Sequence, residues 1–408
     1  MSPDGNDGHD GFSLPVETLK RAVEIATANP DVSDIVLAAG RYTMRQGETF
    51  PYKLPPNVLG ISGAPGGGSV LVGTGAEDGL SFESAQLQDL ELESFATAID
   101  ARGTVRIKNL RITGSVSGIR AHSGTVRIDD LEIAGAANSA PCATGLTLDR
   151  VSDLTLTGFT AQDVLPAIQT AQPSPTPGVV DIANAMITLS PQSRCLATAI
   201  NVSSEMVRIS NSTLDGAIMT NSGGSNGLSV FTATGTTASA TITGTTVRRW
   251  NFGLQIGGSV RIEHSEISDN TVGVLSGTGS TSLDDVAMAR NRVGLKLSPS
   301  PTDQRAAVTM RNSRILDSIQ DGLELEGPGS VDLGTADNPG SNTFTSTPAV
   351  GLRIRGQIGA TQINAIGNRW TPDVQGADAL GLYPARQTVV GPIDGKNFAI
   401  DSGWSLQL

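Results

Sequence analysis

The sequence predicts an all-β chain wound as a right-handed parallel β-helix of about twelve rungs. Three observations carry the prediction: a short phrase recurs along most of the chain, its positions alternate apolar and polar, and no helical period runs between its copies.

The phrase reads small, aliphatic, polar, apolar. Examples are Gly79–Phe82, Ala98–Ala101, Gly118–Ala121 and Gly145–Leu148 early, and Gly227–Val230, Gly253–Ile256, Gly294–Leu297 and Gly351–Ile354 late. Its second position holds Leu80, Ile99, Ile119, Leu146, Ile168, Ile200, Leu228, Leu254, Val274, Leu295, Leu323 and Leu352, aliphatic throughout. The third position runs Ser81, Asp100, Arg120, Thr147, Gln169, Asn201, Ser229, Gln255, Leu275, Lys296, Glu324 and Arg353, polar except at Leu275. Alternation with period two marks a strand with one face buried. The copies lie 19 to 32 residues apart, so the repeat tolerates loops.

A second phrase precedes most copies: Val105-Arg-Ile-Lys-Asn, Val126-Arg-Ile-Asp-Asp, Val207-Arg-Ile-Ser-Asn and Val260-Arg-Ile-Glu-His. Its fifth position is polar at Asn109, Asp130, Asn184, Asn211, His264, Asp285 and Asn312. Such a column predicts a side-chain ladder at one turn, partly buried and bonded from rung to rung. Several short strands per repeat exclude leucine-rich and propeller repeats, whose spacing and strand number differ.

An open stack needs covered ends. Pro15–Ala26 places Leu19, Ala22, Val23 and Ala26 on one helical face and predicts an amphipathic capping helix. Trp370, Tyr383, Phe398 and Trp404 gather near the end of a chain with only 4% aromatics and predict an aromatic cap. The organisation read from this is a flexible acidic start at 1–14, a cap helix and first rung at 15–60, the β-helix at 61–360 and a carboxy-terminal cap at 361–408. Inserts at 136–141, 173–178, 221–224 and 298–305 leave the stack as loops.

The net charge of −12 argues against nucleic acid and anionic membranes as partners. The polar, glycine-rich opening lacks a signal peptide, as in a mature exported chain whose signal has been removed. No apolar run is long enough for a transmembrane span. Attachment through a lipid on a cysteine upstream is compatible with this reading. Cys142 and Cys195 permit one disulfide. A whole rung, that of Ala167, separates their columns, and two rung spacings of ~9.6 Å exceed disulfide reach between strand residues. Both cysteines adjoin inserts that can close this gap, so a disulfide is the expectation.

The opening Asp4–Gly11, then Pro15–Leu19, Ile35–Tyr42 and Gly47–Gly63, resembles a domain of unknown function of bacterial secreted and surface proteins in the pectin-lyase-like superfamily. Gly367–Trp370 with Val374–Asp378 and Gly381–Tyr383 resembles its carboxy-terminal counterpart. The resemblance implies the fold and no particular activity, because that superfamily holds lyases, hydrolases, epimerases, adhesins and phage spikes.

Candidate chemistry is sparse. Arg106-Ile107-Lys108 is similar to a substrate-binding triplet of polygalacturonases, but Val-Arg-Ile is this chain's own strand phrase, and of the companion motifs only a paired Asp284-Asp285 appears, with no Gly-His-Gly. Asp284 is a candidate carboxylate for acid–base work, with Asp285 assigned to the ladder and turned inward. Lys108, Arg127, Asp129 and Asp149 fall on successive rungs, where a lyase-like charged face could form. Asp4, Asn6, Asp7 and Asp10 are hard oxygen donors at a spacing that calcium could use. His264 belongs to the ladder, and His122 to a turn without a visible partner. No catalytic set assembles from these, and no cofactor other than calcium is suggested. The leading reading is a secreted or cell-surface protein that binds or displays toward glycans. A polysaccharide lyase or glycoside hydrolase is the alternative, and a purely structural surface module is the third reading.

Overall fold

In a computed structural model the chain is described over residues 1–135, 142–170, 178–193, 195–217, 225–231, 239–298, 306–326, 329–335 and 337–345. Beyond these come the short stretches 350–355, 363–365, 367–371, 381–382, 388–389, 398–400 and 405–406. It divides into two compact units, Met1–Asn201 and Val202–Leu408. Each is a parallel β-helix.

In the first unit the phrase strands stack in register. Leu80 pairs with Ile99, Ile99 with Ile119, Ile119 with Leu146, Leu146 with Ile168 and Ile168 with Ile200. Two further strands complete each rung. One stacks Ile35, Ile61, Leu87, Ile107, Ile128, Leu156 and Ile182. The other stacks Tyr42, Leu71, Leu92, Ile112, Ile133, Ala161 and Ile187. All three columns face inward and are buried. The second unit repeats the plan. Its phrase column is Leu228, Leu254, Val274, Leu295, Leu323 and Leu352. Its other columns run from Ile209 to Met310 and from Leu214 to Phe344. The register expected from the phrase is borne out in both units.

The polar column sits at one turn and bonds across rungs as expected, with His264 Nδ1 2.9 Å from Asp285 Oδ2, but its burial is corrected. Asn109, Asp130, Asn184, Asn211, His264, Asp285 and Asn312 do occupy one corner, and every one has φ between 48° and 61°. Left-handed backbone suits Asn and Asp best among residues with a Cβ, which explains the composition of the column. Gly158 and Gly244 fill the same corner with φ of 69° and 58°. This turn aims the side chain outward, so all seven are exposed instead of partly buried. The buried ladder lies one residue further on. Ser313 N–H donates to Asn342 Oδ1 at 2.9 Å, and Asn342 N–H to Asn368 Oδ1 at 3.1 Å. At the next corner Trp250 N–H donates to Asn270 Oδ1 and Asn270 N–H to Asn291 Oδ1, both at 2.9 Å. These amides satisfy backbone donors that the corners leave unpaired.

At the amino-terminal end, helix α1 spans Leu19–Ala28 and buries Leu19 and Ala26. It starts four residues later than expected because Thr18 caps it, accepting from Arg21 N–H at 3.1 Å. The buried Glu48 carboxylate accepts Leu19 N–H at 2.8 Å and is further bonded by the Tyr52 hydroxyl. Desolvation raises the Glu48 pKa above its ordinary value, against the lowering effect of those bonds. Of the expected aromatic cap, the backbone of Trp370 pairs with Phe344 and that of Phe398 with Leu352, so both extend existing columns. Tyr383, Trp404 and nearly all of the four inserts lie outside the described residues.

Candidate functional site

In a β-helix, function on the shaft must come from outward positions, since inward ones are spent on the core. In the first unit the outward column of the phrase strands is Ser81, Asp100, Arg120, Thr147, Gln169 and Asn201, in register from rung to rung. Gln169 Nε2 donates to Thr147 Oγ1 at 3.1 Å across a rung. Two residues beyond this column, on the same face, come His122 and Asp149.

Here the structure assembles a cluster that sequence reasoning missed. His122 Nε2 lies 2.7 Å from Asp100 Oδ1, and His122 Nδ1 lies 3.7 Å from Asp149 Oδ2. The three side chains are 28–30% exposed and come from three consecutive rungs. Asp149 is also 3.5 Å from Arg150 Nε. His122 was read as a turn residue without a partner because its partners are 22 and 27 positions away. The available signal was the register: residues one and three beyond the aliphatic position share a face, and adjacent rungs bring them together. Chemically, the cluster can hold a proton between imidazole and carboxylate and can accept hydrogen bonds from ligand hydroxyls. The two carboxylates flank opposite edges of the ring, so one metal ion could not bind the imidazole and both of them. Among the described residues no group of three His, Cys, Asp or Glu side chains is arranged to hold a metal ion.

The residues predicted from sequence fall elsewhere. Lys108, Arg127 and Asp129 share the outward face of the neighbouring strand, with Arg106 opposite Arg127 and Lys108 opposite Asp129. Asp149 does not join them, since it sits at the turn beside His122. Asp7 Oδ1 accepts Glu17 N–H and Thr18 N–H, both at 2.9 Å, and Asp7 Oδ2 accepts the Thr18 hydroxyl at 2.6 Å. Asp10 Oδ1 accepts Phe12, Ser13 and Leu14 N–H groups, and Asn6 Oδ1 accepts Gly8 N–H. Asp4 N–H donates to Ser2 Oγ at 3.3 Å. The acidic opening thus uses its oxygens to organise its own turns and the start of α1.

In the second unit both carboxylates of the Asp284-Asp285 pair face outward, because the left-handed corner overrides strand alternation. Asp284 Oδ1 accepts from Asn312 Nδ2 at 2.9 Å, and Asp285 Oδ2 lies 2.9 Å from His264 Nδ1. The His264 and Asp285 side chains are 66% and 57% exposed, so their pair stands in solvent and not in a cleft. The Asp285 hydrogen bond, then its charge and those of Glu263 and Asp284, raise the His264 pKa above 6.5. A raised imidazole pKa stabilises the fold below pH 6.5, and this contribution is lost as pH rises through the folded-state value. We expect Asp285→Asn to move the His264 titration midpoint, followed by NMR of the imidazole, back toward 6.5. An unmoved midpoint would assign the shift to something else.

The disulfide is present: Cys142 and Cys195 are bonded, with their Cα atoms 5.6 Å apart. Both lie in the connections before their strands, not within them, and this removes the two-rung obstacle.

No helix among the described residues is long and apolar enough to cross a membrane. Solved structures similar to the chain include the A-modules of two mannuronan C-5 epimerases from Azotobacter vinelandii. For AlgE4 the identity is 14%, over 93% of this chain and 94% of that one, with a TM-score of 0.32. For AlgE6 it is 13%, over 95% and 94%, with a TM-score of 0.28. No curated protein matches the chain. Residues 3–147 match the family described as "Protein of unknown function (DUF1565)", which bears out the resemblance read from the opening and leaves the chain a parallel β-helix of unknown function.

Proposed function

We propose that the protein is an exported, surface-located binder of extended glycans, and that the outward face around His122 is its contact surface. One observation carries the reading: the Asp100–His122–Asp149 cluster sits within a register-aligned run of hydroxyl, amide and charged side chains. Sugar hydroxyls both donate and accept, and such a face offers partners of both kinds about every 4.8 Å along the stack. The disulfide agrees with export, since such bonds persist in oxidising compartments. Neutral and acidic polysaccharides retained on affinity gels test the reading. The His122→Ala/Asp100→Asn double variant should lose at least about tenfold in affinity, the equivalent of one or two hydrogen bonds to charged groups. Unchanged retention of every ligand by the double variant would reject this face as the site.

A second reading, catalysis on a glycan, is favoured by the same cluster, because an imidazole bonded to a carboxylate is a competent general acid or base. New reducing ends or unsaturated products from a polysaccharide panel, abolished by His122→Ala, would establish turnover. Binding without products supports the first reading.

A further inference from the structure

His122 stands in a stack of turn residues. Arg102, His122 and Asp149 occupy one corner of consecutive rungs, donating their backbone N–H groups to Phe82, Ala101 and Ala121 at 2.8–2.9 Å. Charged groups surround the ring from every neighbouring segment. Asp100 belongs to the strand of the preceding rung and Arg102 to its turn. Arg120 lies on the ring's own strand, directly opposite Asp100 on one side and Thr147 on the other. Asp149 and Arg150 come from the turn of the following rung. Arg127, the next charged residue along the chain, is on the neighbouring face.

The distances fix where the ring carries its proton. An ionised carboxylate only accepts, so the 2.7 Å contact between His122 Nε2 and Asp100 Oδ1 requires the proton on Nε2. In the neutral ring Nδ1 is then a lone pair, and it faces Asp149 Oδ2 at 3.7 Å. Two acceptors confront each other there, beyond hydrogen-bond range. Arg150 Nε lies 3.5 Å from the other Asp149 oxygen, Oδ1, and leaves Oδ2 to the ring. A second proton changes this gap. Imidazolium donates from both nitrogens, so Nδ1–H can close on Asp149 and tie three rungs through one ring. Neither other histidine is bracketed in this way among the described residues. His9 Nδ1 lies 2.9 Å from the Pro15 carbonyl, and His264 Nδ1 2.9 Å from Asp285.

We infer that proton uptake by His122 is a release switch for the ligand of this face. The inference rests on the glycan reading above and adds its regulation. With the ring neutral, Nδ1 and Asp149 Oδ2 are adjacent acceptors, partly exposed, into which a ligand hydroxyl can donate. With the ring charged, the Nδ1 proton and Asp149 satisfy each other, and the ligand loses both acceptors. Imidazole changes charge between about pH 5 and 8, so mild acidification works the switch. The nearby guanidinium groups stay protonated throughout that range. Because only the open form binds, apparent affinity falls in proportion to the fraction of protein in it.

The test uses the full chain with its disulfide intact and has two arms. Without ligand, nitrogen-15 NMR should find the neutral His122 ring protonated on Nε2, and the Asp149 carboxyl carbon should shift as the second proton binds. With ligand, titration calorimetry compares a neutral β-linked glucan and a polyuronate at about pH 7.5 and 5.0, on either side of the ordinary imidazole range. At least one of them should bind about tenfold or more weakly at the lower pH. His122→Gln, whose amide donates to Asp100 without titrating, should bind equally at both. Asp149→Asn, whose amide N–H fills the gap without a proton, should bind weakly at both. Each variant is checked for unchanged circular dichroism. A neutral ring protonated on Nδ1 overturns the inference whatever binds. Equal wild-type affinity at the two pH values, or a pH dependence that His122→Gln retains, overturns it and leaves the glycan-binding face standing. Binding of neither polysaccharide at either pH overturns both.

Discussion

Leu254→Asp should destabilise the second unit by roughly 4–5 kcal/mol, the extreme of what single substitutions cost. Leu254 is 1% exposed and pairs with Leu228 below and Val274 above, both equally buried. A carboxylate there has no cation within the column and no route to water, so it either stays charged without a partner or holds a proton and leaves a cavity. Leu254→Ile conserves volume and should cost less than about 1.5 kcal/mol. Urea unfolding followed by circular dichroism distinguishes the two. An unshifted midpoint for Leu254→Asp would mean that the aliphatic columns are out of register with what is described above.

The second large effect concerns the bond between Cys142 and Cys195. It closes a sequence separation of 53 residues, and the chain-entropy model assigns about 4 kcal/mol to a loop of that size. Cys142→Ser/Cys195→Ser should therefore unfold at markedly lower denaturant than the wild type, with the loss confined to the first unit. Denatured but unreduced wild-type protein should show no reactive thiol, because the chain holds only these two cysteines. Two thiols per chain, together with equal stability of the double serine variant, would show that the bond does not form in the native protein.

Much of this fold was legible because burial alternates along a strand with period two, and a parallel stack repeats the same alternation in register. Twelve aliphatic positions could therefore be named in advance, and the paired residues are those positions. What failed did so at corners. A left-handed φ reverses the side to which Cβ points, so Asp285 and His264 read as inward and stand outside. The buried amide Asn342 lies one residue past its corner, and Asn270 and Asn291 lie at the next corner, where no polar column was expected. Start of α1 was misjudged for a similar local reason, since Thr18 and Glu48 together fix where helical bonding begins. The candidate site was less legible still. Asp100, His122 and Asp149 share no local motif, and only the rung-to-rung register makes them neighbours. The disulfide expected from the inserts beside Cys142 and Cys195 is formed, because both residues lie in connections ahead of their strands.

The buried corner ladder has a consequence for how such a chain can change over generations. Each amide there completes the backbone of the adjacent turn, so a turn is finished only by the next one. A one-residue insertion within a strand would exchange its inward and outward sets and also displace the ladder amide. An insertion between strands leaves both untouched. Lineages carrying this architecture should thus lengthen or shorten by entire turns, or swell at the bends, and intermediate lengths should be purged. The spread of 19 to 32 residues between copies, around an unvarying aliphatic position, is the record such a filter would leave.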